Sequence, residues 1–159
     1  EKMKPGDLVF IDQFIDFTHH RRNTFHDHFE PGKMAHTAMA DPFSEKLREM
    51  LIRGCKETGI SYHPTGTIVT IEGPRFSTRA ESKMFRLLGA DVINMSIAPE
   101  ASLAMEAGIP YAVIALSTDY DSWKHDEEPV TWNDVLNVFN KNVIHVTGLL
   151  VHILENFEE

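Results

Sequence analysis

The segment Thr67-Ile68-Val69-Thr70-Ile71 constrains the fold of this 159-residue chain more than any other part. It is continuously apolar where the residues before it, from Ser61, alternate, and Glu72-Gly73-Pro74 ends it. A strand of that kind is covered on both faces. Asp91-Val92-Ile93-Asn94-Met95 and Pro110 to Thr118 read as further strands of the same sort. Leu8 to Gln13, after a Pro5-Gly6-Asp7 turn, is a fourth. Helical patterns lie between them. Asp41-Pro42 supplies an N-cap and a first-turn proline for a helix carrying Leu47, Met50, Leu51 and Ile52 to about Glu57, with Gly59 as its stop. Thr78 to about Leu88 and Pro99 to Ala107 follow, the latter stopped by Gly108. A long final helix starts at Thr131, its apolar face built from Val135, Leu136, Val138, Phe139, Val143 and Val146. Strands alternating with helices predict one layered α/β domain over residues 1–159, with a largely buried sheet. In such sheets ligand groups collect beyond the carboxyl ends of the strands.

Composition narrows the function classes. Apolar residues make up 42% of the chain and charged ones 25%, as in an ordinary globular protein, and no apolar run nears the ~20 residues of a membrane span. Cytoplasm is the expected compartment. A formal net charge of -9 argues against nucleic acid or an anionic membrane as partner, although a local site can still take a small anion. The one cysteine, Cys55, excludes an internal disulfide and reads as structural. The stretch from Asp16 to Lys33 is polar, histidine-rich and closed by Pro31-Gly32, so it predicts a long loop. Its histidines, His19, His20, His26 and His28, have no Cys, Asp or Glu completing a familiar zinc spacing, and no metal is expected. No G-x-G-x-x-G follows a strand, which disfavours a nicotinamide-binding domain. Asp126-Glu127-Glu128 reads as a solvated turn.

The residues after the strands carry the recognisable chemistry. Thr70-Ile71-Glu72-Gly73-Pro74-Arg75-Phe76-Ser77-Thr78-Arg79-Ala80-Glu81-Ser82 forms one block, and Gly89 to Ser96 followed by Pro99-Glu100 a second. Ser117-Thr118-Asp119-Tyr120-Asp121-Ser122-Trp123 is the third. In this order and at these spacings they resemble the trimeric purine nucleoside phosphorylase superfamily and, within it, the methylthioadenosine phosphorylases. The resemblance covers essentially the whole chain. It implies a layered α/β/α domain around a central mixed sheet, with the N-terminal part of the family fold missing. It implies phosphorolysis of 5′-methylthioadenosine to adenine and 5-methylthioribose 1-phosphate, with phosphate as co-substrate and no cofactor, by a homotrimer when intact.

The resemblance also assigns roles. Phe76 and Ser77 would lie beside the purine, Met95 against the ribose, and Ser96 at the phosphate. Asp119, the expected catalytic residue, and Asp121 would face the purine edge. His36 would approach the 5′ end across a subunit interface, and Trp132 and Val135 would line the methylthio pocket, where a smaller apolar residue is common at the Trp132 position. Adenine offers an amino donor at N6 and gains a proton at N7 as the glycosidic bond breaks. A carboxyl with a raised pKa suits both needs. Members acting on 6-oxopurines use a glutamate and an asparagine where this chain has Ser77 and Asp119, which favours adenine. The family's Gly-rich phosphate loop and phosphate-binding Arg-His pair are not in this sequence, so the chain alone is expected not to catalyse. A phosphorylase for 6-oxopurine nucleosides or methylthioinosine, and a catalytically silent fragment, are the alternatives.

Plainer readings exist for the same residues. Phe76 and Met95 serve equally as packing, Asp119 and Asp121 as a turn and a helix cap, and Ser77 or Thr78 as an N-cap.

Overall fold

The computed structural model describes residues 2–124 and 131–156, so the Asp126-Glu127-Glu128 expectation lies outside the described residues. Strand β1 (Leu8–Phe10) and strand β2 (Gln13–Phe17) follow one another closely and then give way to a long loop. Helix α1 (Glu45–Thr58), strands β3 (Tyr62–His63) and β4 (Thr67–Ile71), helix α2 (Arg79–Leu87) and strand β5 (Val92–Asn94) come next. Helix α3 (Ile97–Glu106), strand β6 (Ile114–Leu116), a 3-10 turn (Asp121–Trp123) and helix α4 (Trp132–Glu155) complete the order.

The strands form two three-stranded sheets, a mixed one ordered β3-β1-β6 and a parallel one ordered β2-β4-β5. They are two ends of one ribbon. Leu8 pairs with Tyr62 and Gln13 with Thr67, so a single parallel register runs through both ladders. At the break, the Asp12 N–H donates to the Gly66 carbonyl (3.2 Å) and the Gly66 N–H to Asp12 Oδ1 (2.9 Å), keeping the ribbon hydrogen-bonded while it bends. Beyond Gly66 a Cβ would stand 2.7 Å from the Val9 side chain, a close approach only glycine permits. The sequence reads Leu8–Gln13 and Ser61–Ile71 as single strands; the structure divides each, the first at Asp12 and the second at Pro64-Thr65-Gly66.

β1 shows why its residues are all apolar. Leu8 and Phe10 pack with Leu51 and Cys55 of α1 and Leu149 of α4, whereas Val9 and Ile11 pack with Phe43, Ile68, Ala101 of α3 and Val113. Side chains alternate across a strand, so each face feeds its own helical layer. The α/β/α layering expected from the sequence follows. Burial pushes the Cys55 thiol up to about 11, in keeping with a packing role.

Local signals set most helix ends. Thr78 caps α2 in a capping box with Glu81, and Gly59 closes α1 at φ 74°. The Asp41-Pro42 expectation is corrected: α1 begins at Glu45 under Ser44, whose hydroxyl accepts from the Leu47 N–H at 3.4 Å. α3 likewise begins at Ile97, ahead of Pro99, because a proline within the first turn removes no helical hydrogen bond. The loop after β2 is tied down twice. Glu72 accepts from the His19 and His20 N–H groups and from Arg21, and Glu106 accepts from Thr24 Oγ1 and the Phe25 N–H.

Candidate active site

A cleft of about 930 Å³ opens where the ends of β4, β5 and β6 approach α2 and the 3-10 turn. Phe76, Ser77, Met95, Ser96, Asp119, Asp121 and Val135 all line it. The structure therefore brings together residues that three separate sequence blocks supply. His36 and Trp132 are not brought in. Both are exposed, His36 on the long loop and Trp132 at the first turn of α4. A residue expected from across a subunit interface does not reach its site within one chain.

Each lining group is held by its local fold. Gly73, at φ 68°, lets the chain turn away from β4, and a Cβ there would meet Met95 Sδ at 2.6 Å. The Met95 thioether is thus seated directly against the Gly73 backbone. Phe76 stands half-exposed at the rim, while Ser77 behind it is buried. Ser122 Oγ donates to the Ser77 carbonyl at 2.8 Å, tying the first wall to the 3-10 turn. Asp119 is fixed at both oxygens: Oδ2 accepts from Thr118 Oγ1 and Oδ1 from the Asp121 N–H, each at 2.7 Å. Each oxygen keeps a lone pair for a ligand.

Asp121 occupies the left-handed region at φ 55°, the sole described non-glycine residue with a positive φ. Such conformations persist where surroundings impose them, often at functional sites. Burial raises the pKa of its carboxyl, the nearby charges of Asp119 and Glu81 add to the rise, and the Ser82 hydroxyl and Ser122 N–H oppose it.

Four polar atoms in this cleft are buried without a hydrogen-bond partner: Ser77 Oγ, Ser82 Oγ, Asn94 Oδ1 and Asp121 Oδ2. A buried unpaired polar group costs ~1–3 kcal/mol, so four on one set of walls describe a surface prepared for a polar ligand. Of these, Ser82 and Asn94 were not singled out in the sequence. They stand inside the recognised blocks, but only their burial in the cleft marks them out. Arg86 and Trp123 also line the cleft, with the guanidinium 3.8 Å from the centre of the Trp123 ring.

Ser96 is the N-cap residue of α3, yet its hydroxyl makes no capping bond. Thr70, wholly buried in β4, does that work: its Oγ1 accepts from the Ala98 N–H at 3.1 Å. The Ser96 hydroxyl is left for the cleft, at the positive end of the α3 dipole. Among the described residues no group of three His, Cys, Asp or Glu side chains could hold a metal. No described helix is long and apolar enough to cross a membrane.

The family model of the phosphorylase superfamily matches residues 1–155, nearly the full chain. The chain belongs to the phosphorylase superfamily. An S-methyl-5′-thioadenosine phosphorylase of Xenopus tropicalis is 52% identical to it over 95% of the chain, and one of Pyrococcus abyssi is 51% identical over 94%. The chain covers 54% and 56% of those two proteins, so it spans little more than half the length of its curated relatives. A methylthioadenosine phosphorylase of Schistosoma mansoni, solved with adenine, superposes on the entire chain with TM-score 0.91 at 39% identity, the chain covering 62% of it. A variant of the Schistosoma adenosine/methylthioadenosine phosphorylase, solved with methylthioadenosine, superposes with TM-score 0.88 at the same identity. The layered fold with its mixed sheet is therefore that of nucleoside phosphorylases.

Proposed function

We propose that this superfamily member forms the purine- and ribose-binding part of a methylthioadenosine phosphorylase. The observation that carries the reading is the convergence of Phe76, Ser77, Met95, Ser96, Asp119 and Asp121 on one cleft whose buried oxygens lack partners. The relatives that act on methylthioadenosine, and the Schistosoma proteins solved with adenine and methylthioadenosine, support it.

In this reading the purine rests against Phe76, and its edge meets Ser77, Asp119 and Asp121. A carboxylate oxygen accepts from the N6 amine, and the Ser77 hydroxyl can donate to a ring nitrogen. A 6-oxopurine would face the carboxylates with an acceptor in place of that amine, leaving buried groups unpaired. Met95 contacts the ribose, and Val135 borders the methylthio group. His36 joins from a neighbouring subunit of a homotrimer. Ser96 helps hold phosphate.

A phosphate oxygen then bonds to C1′ as the C1′–N9 bond breaks, and the bond's electron pair passes to the purine ring. N7 takes a proton delivered through Asp119, so adenine leaves neutral. The chemistry is charge stabilisation and positioning, with no cofactor. A cytoplasmic setting suits such a salvage reaction.

The test is phosphate-dependent release of adenine from methylthioadenosine, by this chain and by the same coding sequence extended upstream of Glu1. Release by the extended protein alone is expected, because the Gly-rich phosphate loop and Arg-His pair lie outside this sequence. Release by this chain alone would overturn the need for those groups. Inosine cleavage without methylthioadenosine cleavage would transfer the assignment to 6-oxopurine substrates.

A further inference from the structure

Two hydroxyls within helices of this chain bond back to their own helix. Thr58 Oγ1 donates to the Gly54 carbonyl at 2.7 Å in α1, and Ser102 Oγ to the Ala98 carbonyl at 2.9 Å in α3. Such back-bonding is the ordinary fate of a helical hydroxyl. Ser82 in α2 departs from it. Its side chain is 1% exposed, its N–H is already spent on the Thr78 carbonyl at 2.9 Å, and its Oγ has no partner. It lines the cleft instead, beside Asp121, whose Oδ2 is also buried and unpartnered.

The two groups are close enough for Ser82 to favour the ionised form of the Asp121 carboxyl, yet they form no bond of ordinary length and angle. The charges that act on Asp121 are Asp119, on its own segment, and Glu81, on α2, and both oppose ionisation. Ser82 is thus one of two groups pulling the other way, with the Ser122 N–H.

We propose that Ser82 is a positioning residue: its hydroxyl donates to the Asp121 carboxylate and aims the free oxygen at the exocyclic amine of a 6-aminopurine. The inference rests on the nucleoside-binding reading above. A bound amine supplies Asp121 with the donor it lacks and draws the carboxylate into full hydrogen-bonding distance of Ser82. The 3-10 turn that carries Asp121 is tied down through Ser122 Oγ and the Asp121 N–H, but neither bond reaches the Asp121 carboxylate, which a hydroxyl on α2 can anchor. Ser82 contributes nothing to binding a base that lacks the amine.

The experiment compares the wild-type chain with Ser82→Ala and Ser82→Cys. The Asp121 carboxyl is titrated by carbon-13 NMR in the free proteins, and adenine and hypoxanthine affinities are measured by calorimetry. Alanine suits a helix interior, and the cysteine variant keeps a weaker donor of similar size. Ser82→Ala is expected to move the Asp121 titration to higher pH and to weaken adenine about tenfold, with hypoxanthine unchanged and Ser82→Cys intermediate. An unmoved Asp121 titration, or equal losses for the two bases, would overturn the positioning role while leaving the nucleoside reading intact. A wild-type chain that ignores adenine, with the Asp121 titration still moved by Ser82→Ala, would sink the nucleoside reading and this role with it.

Discussion

Glu72 directly follows β4 and Asp121 follows β6 by a few residues, yet the two carboxylates are in opposite states. Glu72 accepts from two backbone N–H groups and from the Arg21 guanidinium, and the His19 N–H above all holds its pKa down at about 2. Asp121 is half-buried, has a buried oxygen with no partner, and its pKa is raised. Glu72 fastens the loop after β2, with both oxygens engaged and outside the cleft. Asp121 carries a debt that the free protein leaves open. Glu72, bonded at both oxygens away from the cleft, holds the structure; Asp121, with an unmet, buried oxygen in the cleft, awaits a substrate.

Exchanging each carboxylate for its amide breaks the comparison most directly. Asp121→Asn is expected to lose adenine affinity by about thirtyfold, the loss of a charge-assisted hydrogen bond. The same change should raise the melting temperature of the free chain. The sign follows from linkage: a carboxyl whose folded pKa is raised opposes folding once the pH exceeds its unfolded value. The gap between variant and wild type should therefore widen as pH rises through the folded pKa and close in acid. A variant that melts lower at neutral pH would show Asp121 to be structural.

Glu72→Gln is the smaller effect and the control. Adenine affinity should change by less than about twofold, since only the latch is touched. The His19 and His20 amides should exchange faster with solvent, because a neutral acceptor binds them less well. A depressed pKa stabilises above the unfolded value near 4.5 and loses that contribution as pH falls to about 2, so in the wild type the latch should loosen only across that acid window. Loosening at neutral pH in the wild type would mean that the Glu72 bonds are not what hold the loop.

The comparison also separates what the sequence makes legible from what it does not. Strand β4 and the stops at Gly59 and Gly108 are local signals, visible in apolar runs and in residues that tolerate a positive φ. The recognised blocks bring Phe76, Ser77, Met95, Ser96, Asp119 and Asp121 into view through a family pattern, and the fold sets them round one cleft. Asp12 and Pro64-Thr65-Gly66 are breaks in the sequence, but that they meet and bend one ribbon is not legible, because it lies in the pairing of two distant segments. Nor is the exchange at α3, where Thr70 caps a helix from a neighbouring strand and releases Ser96. Ser82 looks like any helical serine until its neighbours are known.

Calorimetric titration of the wild-type chain with adenine and with hypoxanthine at neutral pH tests the central claim most directly. Binding of adenine at least about tenfold tighter than hypoxanthine is predicted, because a 6-oxo group leaves the Asp119 and Asp121 oxygens facing another acceptor. Equal affinities, or tighter binding of hypoxanthine, would contradict the reading of this cleft as a 6-aminopurine site.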